Sequence, residues 1–178
     1  FFEVPPAHGR QIIEVPCRND NGYYTLDLDG IDAAFRAGGE LLVLCNPHNP
    51  VGRVLGRAEL EAVCEVVERH GGRVFSDEIH APLTYPDSPP HIPYASISDA
   101  AASHTITATS ASKAFNLPGF KCAAAIVSNA RDAQIWRTLP GVVTHSAATL
   151  GVAANIAAYR DGGPYLADVR DYLAGNRA

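Results

Sequence analysis

The constraint that most narrows the fold is a rhythm of short apolar runs, too short for helices, separated by segments with helical spacing. ELLVLCN (Glu40–Asn46), RVFSDEI (Arg73–Ile79), HTITATS (His104–Ser110) and CAAAIVS (Cys122–Ser128) each hold a handful of β-favouring residues. Such runs read as buried strands of a parallel sheet. Between the first two lies RAELEAVCEVVERH (Arg57–His70), with Leu60, Val63, Cys64 and Val67 on one helical face and Gly71-Gly72 as a stop. A weaker alternation, QIIEVPC (Gln11–Cys17), predicts a strand before the RNDNG turn, and Asp29–Ala37 predicts a helix ended by Gly38-Gly39. Pro82–Pro93 is a proline-rich excursion without periodicity. Helices are expected over Ala130–Leu139, Ser146–Tyr159 and Tyr165–Ala174. Strands alternating with helices predict a three-layer α/β/α sandwich with a mostly parallel sheet.

Bulk properties exclude several classes of partner. A chain of 178 residues can bury a sizeable core. Its net charge of -5 argues against a nucleic-acid or anionic-membrane surface. No apolar run is read as long enough to span a bilayer. Cys17, Cys45, Cys64 and Cys122 are scattered without CxxC spacing. They predict reduced thiols in a cytoplasmic protein and no metal site. The sequence contains no methionine, even at position 1, and FFEVPPAHGR lacks the regions of a signal peptide. Both features predict a fragment.

In open α/β sheets, ligands bind beyond the carboxyl ends of the strands. Three strands end in polar clusters: Asn46 and Asn49 in NPHNPVG, Asp77, Glu78 and His80 in SDEIH, and Ser110, Ser112 and Lys113 in SASK. Lys113 stands among small residues, and its nearest charged neighbour in sequence is Lys121. A lysine whose amine becomes neutral forms a Schiff base with an aldehyde. A partly buried Asp77 needs a cationic partner, which a protonated ring nitrogen supplies. A Schiff-base lysine with an aspartate on a pyridinium nitrogen is the protein half of pyridoxal phosphate chemistry.

NPHNPVG, SDEIH and SASKAFNLPGFK, in that order, resemble the fold-type I pyridoxal-phosphate enzymes of the class I/II aminotransferase superfamily. SDEIH with SKAFNLPG looks most like the cystathionine β-lyase (MalY/PatB-like) branch. The resemblance implies that Lys113 forms the covalent link to the cofactor and moves the substrate Cα proton. Asp77 matches the carboxylate on the ring nitrogen, and Asn49 the amide on the ring 3′-oxygen. His80 occupies a place where many aminotransferases carry a tyrosine to that oxygen. Ser110 and Ser112 match residues near the phosphate. Lys121 stands where the common motif has a phosphate-binding arginine, and lysine lacks the bidentate geometry. With His80, this departure favours the lyase branch over transamination.

Enzymes of this kind are roughly twice as long or more, with a second, smaller domain. In the family, a phosphate loop and the aromatic ring stacked on the cofactor precede these motifs, and the arginine for the substrate carboxylate follows them. Residues 1–178 are therefore expected to be the central part of the cofactor-binding large domain, without its N-terminal segment or the small domain. The implied function is carbon–sulfur β-lyase activity on amino acids such as cystathionine, in a homodimer. An aminotransferase is the alternative, and a non-catalytic ligand-binding or regulatory module on the same fold is a third reading.

Overall fold

A computed structural model describes residues 1–177. After a single turn, α1 (Val4–Ala7), its first regular structure departs from the sequence expectation. Gln11–Cys17 is irregular, and the strands β1 (Arg18–Asp20) and β2 (Tyr23–Thr25) form an antiparallel hairpin immediately after it. The cause lies in the turn. Asn21 and Gly22 both take left-handed backbone, with φ of 50° and 91°, which matches the twist of the flanking strands. Of the alternation upstream, Val15 packs against the core while Ile12 and Ile13 stay exposed.

The remaining apolar runs become one sheet. β3 (Leu41–Cys45), β4 (Arg73–Asp77), β5 (Thr105–Thr109) and β6 (Ala124–Val127) are neighbours in that order. β3, β4 and β5 are parallel, and β6 returns antiparallel to β5. The sheet is thus mixed and mostly parallel. α2 (Leu28–Arg36) precedes it, α3 (Arg57–Arg69) links β3 to β4, and α4 (Asp99–His104) leads into β5. Beyond β6 come α5 (Ala130–Thr138), the short α6 (Gly141–Thr144), α7 (Thr149–Asp161) and α8 (Gly163–Gly175).

Register decides which side chains enter the core. Leu42 pairs with Val74, which pairs with Thr105, and Leu44 pairs with Ser76, which pairs with Thr107. These six share one face. On it Leu44 and Val74 join Leu60, Val63 and Val67 of α3, Ile31 and Phe35 of α2, and Ala101 of α4. The helical spacing seen in Arg57–His70 is therefore the spacing of the core. On the opposite face Leu41 and Val43 are exposed, and the ring of Phe1 meets Phe75 edge-on.

One stretch, Gly141–Asp161, is long and apolar enough to cross a membrane by length and composition alone, which corrects the reading that no such run exists. Helical structure breaks at residues 145–148, between α6 and α7. An irregular backbone exposed to lipid would leave its polar groups unpaired.

A buried polar pair ties α4 to the core. The hydroxyl of the fully buried Tyr94 lies 3.0 Å from His104 Nε2. Burial lowers the His104 pKa from its ordinary 6.5; Arg73 acts in the same direction and Glu68 in the opposite one. The unfolded chain therefore binds this proton more readily than the folded one. Its contribution to stability is complete above about pH 6.5 and is lost as pH falls toward the depressed folded value. Thermal unfolding at pH 7.5 and 5.5 should show a loss of midpoint in acid. The loss should be smaller in His104→Gln, which keeps a polar partner for Tyr94 but does not titrate.

Candidate functional site

The parallel register brings three strand ends level. Cys45 pairs with Asp77, and Asp77 with Ala108, so neighbouring chains lie about 4.8 Å apart at this line. The ladder runs one step further on either side of Asp77. Asn46 N–H donates to Asp77 O at 3.0 Å, and Glu78 N–H donates to Ala108 O at 2.9 Å. The three polar clusters therefore leave the sheet side by side, with Asp77 in the centre.

Side chains alternate across a strand, and that alternation divides the two carboxylates of SDEIH. Ser76 and Glu78 turn inward and are buried. Glu78 accepts from Ser76 Oγ at 2.9 Å, Tyr94 N at 3.0 Å and His91 Nε2 at 2.8 Å. It closes the base of the proline-rich excursion. Asp77 faces the other way, half-buried, and its Oδ1 accepts from Ile79 N at 3.2 Å. His80 follows at the start of a 3-10 turn, Ala81–Leu83. It is half-buried, and its Nδ1 is enclosed with no hydrogen-bond partner among the described residues.

The asparagine loop is a closed turn. His48 N–H donates to Arg53 O and Gly52 N–H to His48 O, both at 2.7 Å. Asn46 is buried and accepts from Leu55 N at 2.9 Å, whereas Asn49 is exposed at the tip. Arg53 clamps the loop from behind. It donates to both oxygens of Glu59 at 2.8 and 3.0 Å and to Tyr24 O at 2.8 Å, and it lies over the Tyr23 ring at 4.5 Å. Burial pushes the Glu59 pKa up, but Arg53 and the Gly56 N–H outweigh it and hold the carboxyl below its usual range.

The lysine turn spans residues 111–116 between β5 and β6. Lys113 is exposed there and Ser112 half-buried. Ser110 is buried; its Oγ donates to Cys122 O at 2.6 Å, accepts from Ser112 N at 3.0 Å and lies 2.5 Å from Ser112 Oγ. Its hydroxyl is thus engaged within the turn itself. Lys121 is exposed, on left-handed backbone with φ of 49° after the 3-10 turn Pro118–Phe120.

Several supporting residues carried no recognisable signal in sequence. His91 and Asn155 of α7 reach their partners across 13 and 44 residues, and Arg53 reaches Tyr24 O across 29. Arg170 and Arg177, in and just after α8, hold the outer part of the excursion: Arg170 Nε donates to Thr84 O at 2.7 Å, and Arg177 reaches Asp87 at 2.5 Å and covers the Tyr85 ring.

A family model described as aminotransferase class I and II matches residues 6–178. The chain belongs to this family. It is 34% identical to cystathionine beta-lyase of Corynebacterium glutamicum over 99% of its own length and 46% of that protein's. Among solved structures, a Corynebacterium diphtheriae protein assigned as a PLP-dependent beta-cystathionase superimposes with a TM-score of 0.91 and 39% identity, over 98% of this chain and 45% of that one. The PLP-bound C-S lyase of Staphylococcus hominis gives 0.83 and 29%, over 96% and 43%. The chain therefore spans just under half the length of these relatives.

The Arg53 clamp predicts a local effect. Arg53→Lys keeps the charge but loses the paired donors. It should cost about 1–3 kcal/mol and raise hydrogen exchange at the His48 and Gly52 amides, while the amides of β5 stay protected.

Proposed function

We propose that this chain is the central part of the cofactor-binding large domain of a pyridoxal-phosphate-dependent carbon–sulfur β-lyase. The observation that carries the reading is the open carboxylate of Asp77 at the end of the central strand, level with the Asn49 loop and followed by the Lys113 turn. The names of the relatives agree with it: the C. glutamicum protein is a cystathionine beta-lyase, and the S. hominis structure is a C-S lyase with PLP bound.

The residues present suit this cofactor. Asp77 receives one backbone N–H and has acceptor capacity left for a protonated ring nitrogen. The enclosed Nδ1 of His80, without a partner among the described residues, suits a ring oxygen, as does the exposed amide of Asn49. Ser112 and Lys121 offer a hydroxyl and a cation for the phosphate. Ser110, whose hydroxyl is engaged in the turn, would act there through Ser112. When bound, pyridoxal phosphate supplies an electron sink for the pair left at the substrate Cα.

Lys113 would hold the cofactor covalently through Nζ, and the same amine, once free, would take the proton from the substrate Cα. Asp77 would pair with the ring nitrogen and keep it protonated. The reaction converts a sulfur amino acid such as cystathionine, with one water, into a thiol, pyruvate and ammonia: the Cβ–S bond breaks, the sulfur leaves as the thiol, and water hydrolyses the remaining enamine. The whole protein is read as a cytoplasmic homodimer, in keeping with four free thiols and the exposed apolar residues of α6 and α7. The family description itself favours one second reading, an aminotransferase.

The test uses the whole protein with added pyridoxal phosphate and cystathionine. Thiol and pyruvate should form, Lys113→Ala should abolish both, and Asp77→Asn should slow them by about 10²-fold or more. Keto acid exchange without pyruvate would replace the lyase by the aminotransferase. Unchanged cofactor binding in Lys113→Ala would refute both.

A further inference from the structure

Helix α7 presents one narrow stripe to the lysine turn: Gly151, Asn155, Tyr159 and the C-terminal Gly162. Their spacing of four, four and three puts them on a single face. Both glycines mark close approach. A Cβ on Gly151 would lie 2.5 Å from Phe120 O, and one on Gly162 would lie 2.6 Å from the Phe115 ring. The Tyr159 hydroxyl lies 3.5 Å from Thr109 Oγ1, and its ring meets Phe115 edge-on at 5.8 Å. Outside α7 itself, these contacts and that of Gly151 against Cys122 Cβ fall on residues 109–122, the segment that contains Lys113.

Asn155 makes the most specific of these contacts. Its Oδ1 accepts from Ala111 N at 3.0 Å, while its Nδ2 donates to Gly151 O at 2.9 Å within α7. Ala111 is fully buried. Its N–H opens a helix-like turn, where the leading amides have no partner in their own turn, and a buried amide without a partner is costly. Ala111 O in turn accepts from Phe115 N, and Ser112 O from Leu117 N, both at 3.0 Å. These bonds bracket Lys113. The Asn155 contact fixes the first peptide of this set.

We propose that Asn155 is a positioning residue for Lys113: by holding the Ala111 amide it sets the pitch of the turn and so the placement of Nζ. This rests on the reading of Lys113 as the cofactor lysine. Asn155 needs no contact with cofactor or substrate.

The experiment compares Asn155→Leu, Asn155→Asp and Lys113→Ala in the whole protein. Leucine removes both hydrogen bonds. Aspartate keeps an acceptor for Ala111 N and loses only the bond within α7. Three quantities are read: hydrogen exchange of the cofactor-free protein over residues 109–117, the rate of covalent capture of pyridoxal phosphate by borohydride reduction and mass, and the melting temperature. Asn155→Leu should lose about tenfold in protection and in capture rate, the loss expected for one buried hydrogen bond. Asn155→Asp should restore both to within about threefold even where its melting temperature falls. Wild-type capture in Asn155→Leu would overturn the proposal. Equal slowing in both variants, in step with their melting temperatures, would also overturn it by reducing Asn155 to a structural role. Undiminished capture in Lys113→Ala would instead overturn the assignment of Lys113, and is distinguishable because it leaves the Asn155 exchange result intact.

Discussion

Everything at the candidate site depends on the parallel register of β3, β4 and β5. Parallel strands finish on the same edge of a sheet, and here Cys45, Asp77 and Ala108 finish level. A slip of one residue would move every side chain of a strand to the other face. Asp77 would then turn inward among apolar side chains, and Ser76 would take its place outside. The register is held by burial: Leu44 and Val74 must face α3, and that requirement sets the direction of the residues after them. Core packing and site chemistry are thus one constraint at this strand end.

The two carboxylates of SDEIH show how alternation separates structural from chemical work. Glu78 has three donors and almost no exposure, so its charge is fully occupied in joining Ser76, His91 and Tyr94. Asp77, one residue earlier, has one donor and an open side. A saturated carboxylate anchors; an unsaturated one can bind. A comparable division holds in the other clusters. Arg53 holds the loop that exposes Asn49, and Ser110 secures the turn that exposes Lys113.

The legible part of this architecture was local. Four apolar runs became strands and Arg57–His70 became a core helix, because length, β-branching and helical spacing are written in consecutive residues. The alternation of Gln11–Cys17 points to a strand there and leaves the hairpin around Asn21-Gly22 unseen, although only that turn dictates a backbone geometry. The apolar content of Gly141–Asp161 was underestimated since its small residues dilute the larger ones. The polar clusters were legible as motifs, but their supports were not. The anchoring role of Glu78 was not legible, because His91 lies thirteen residues on, across a segment with no periodicity. Asn155 lies forty-four residues from Ala111, and no local pattern marks a side chain that accepts one distant amide.

Helix α7 carries this separation of roles furthest. Its large apolar side chains, Leu150 and Ile156 among them, point away from the sheet and are exposed, while glycine, asparagine and a tyrosine edge face the lysine turn. Burial of large side chains therefore contributes little to docking this helix. What holds it is the close approach that Gly151 and Gly162 allow, together with one buried hydrogen bond. Such contacts are short-ranged: dispersion attraction is largely lost once a gap of an ångström opens, and a hydrogen bond fails when its angle does. The turn bearing Lys113 and the face of α7 are consequently rigid together or loose together. The order of the lysine is set by a helix that begins more than thirty residues after it.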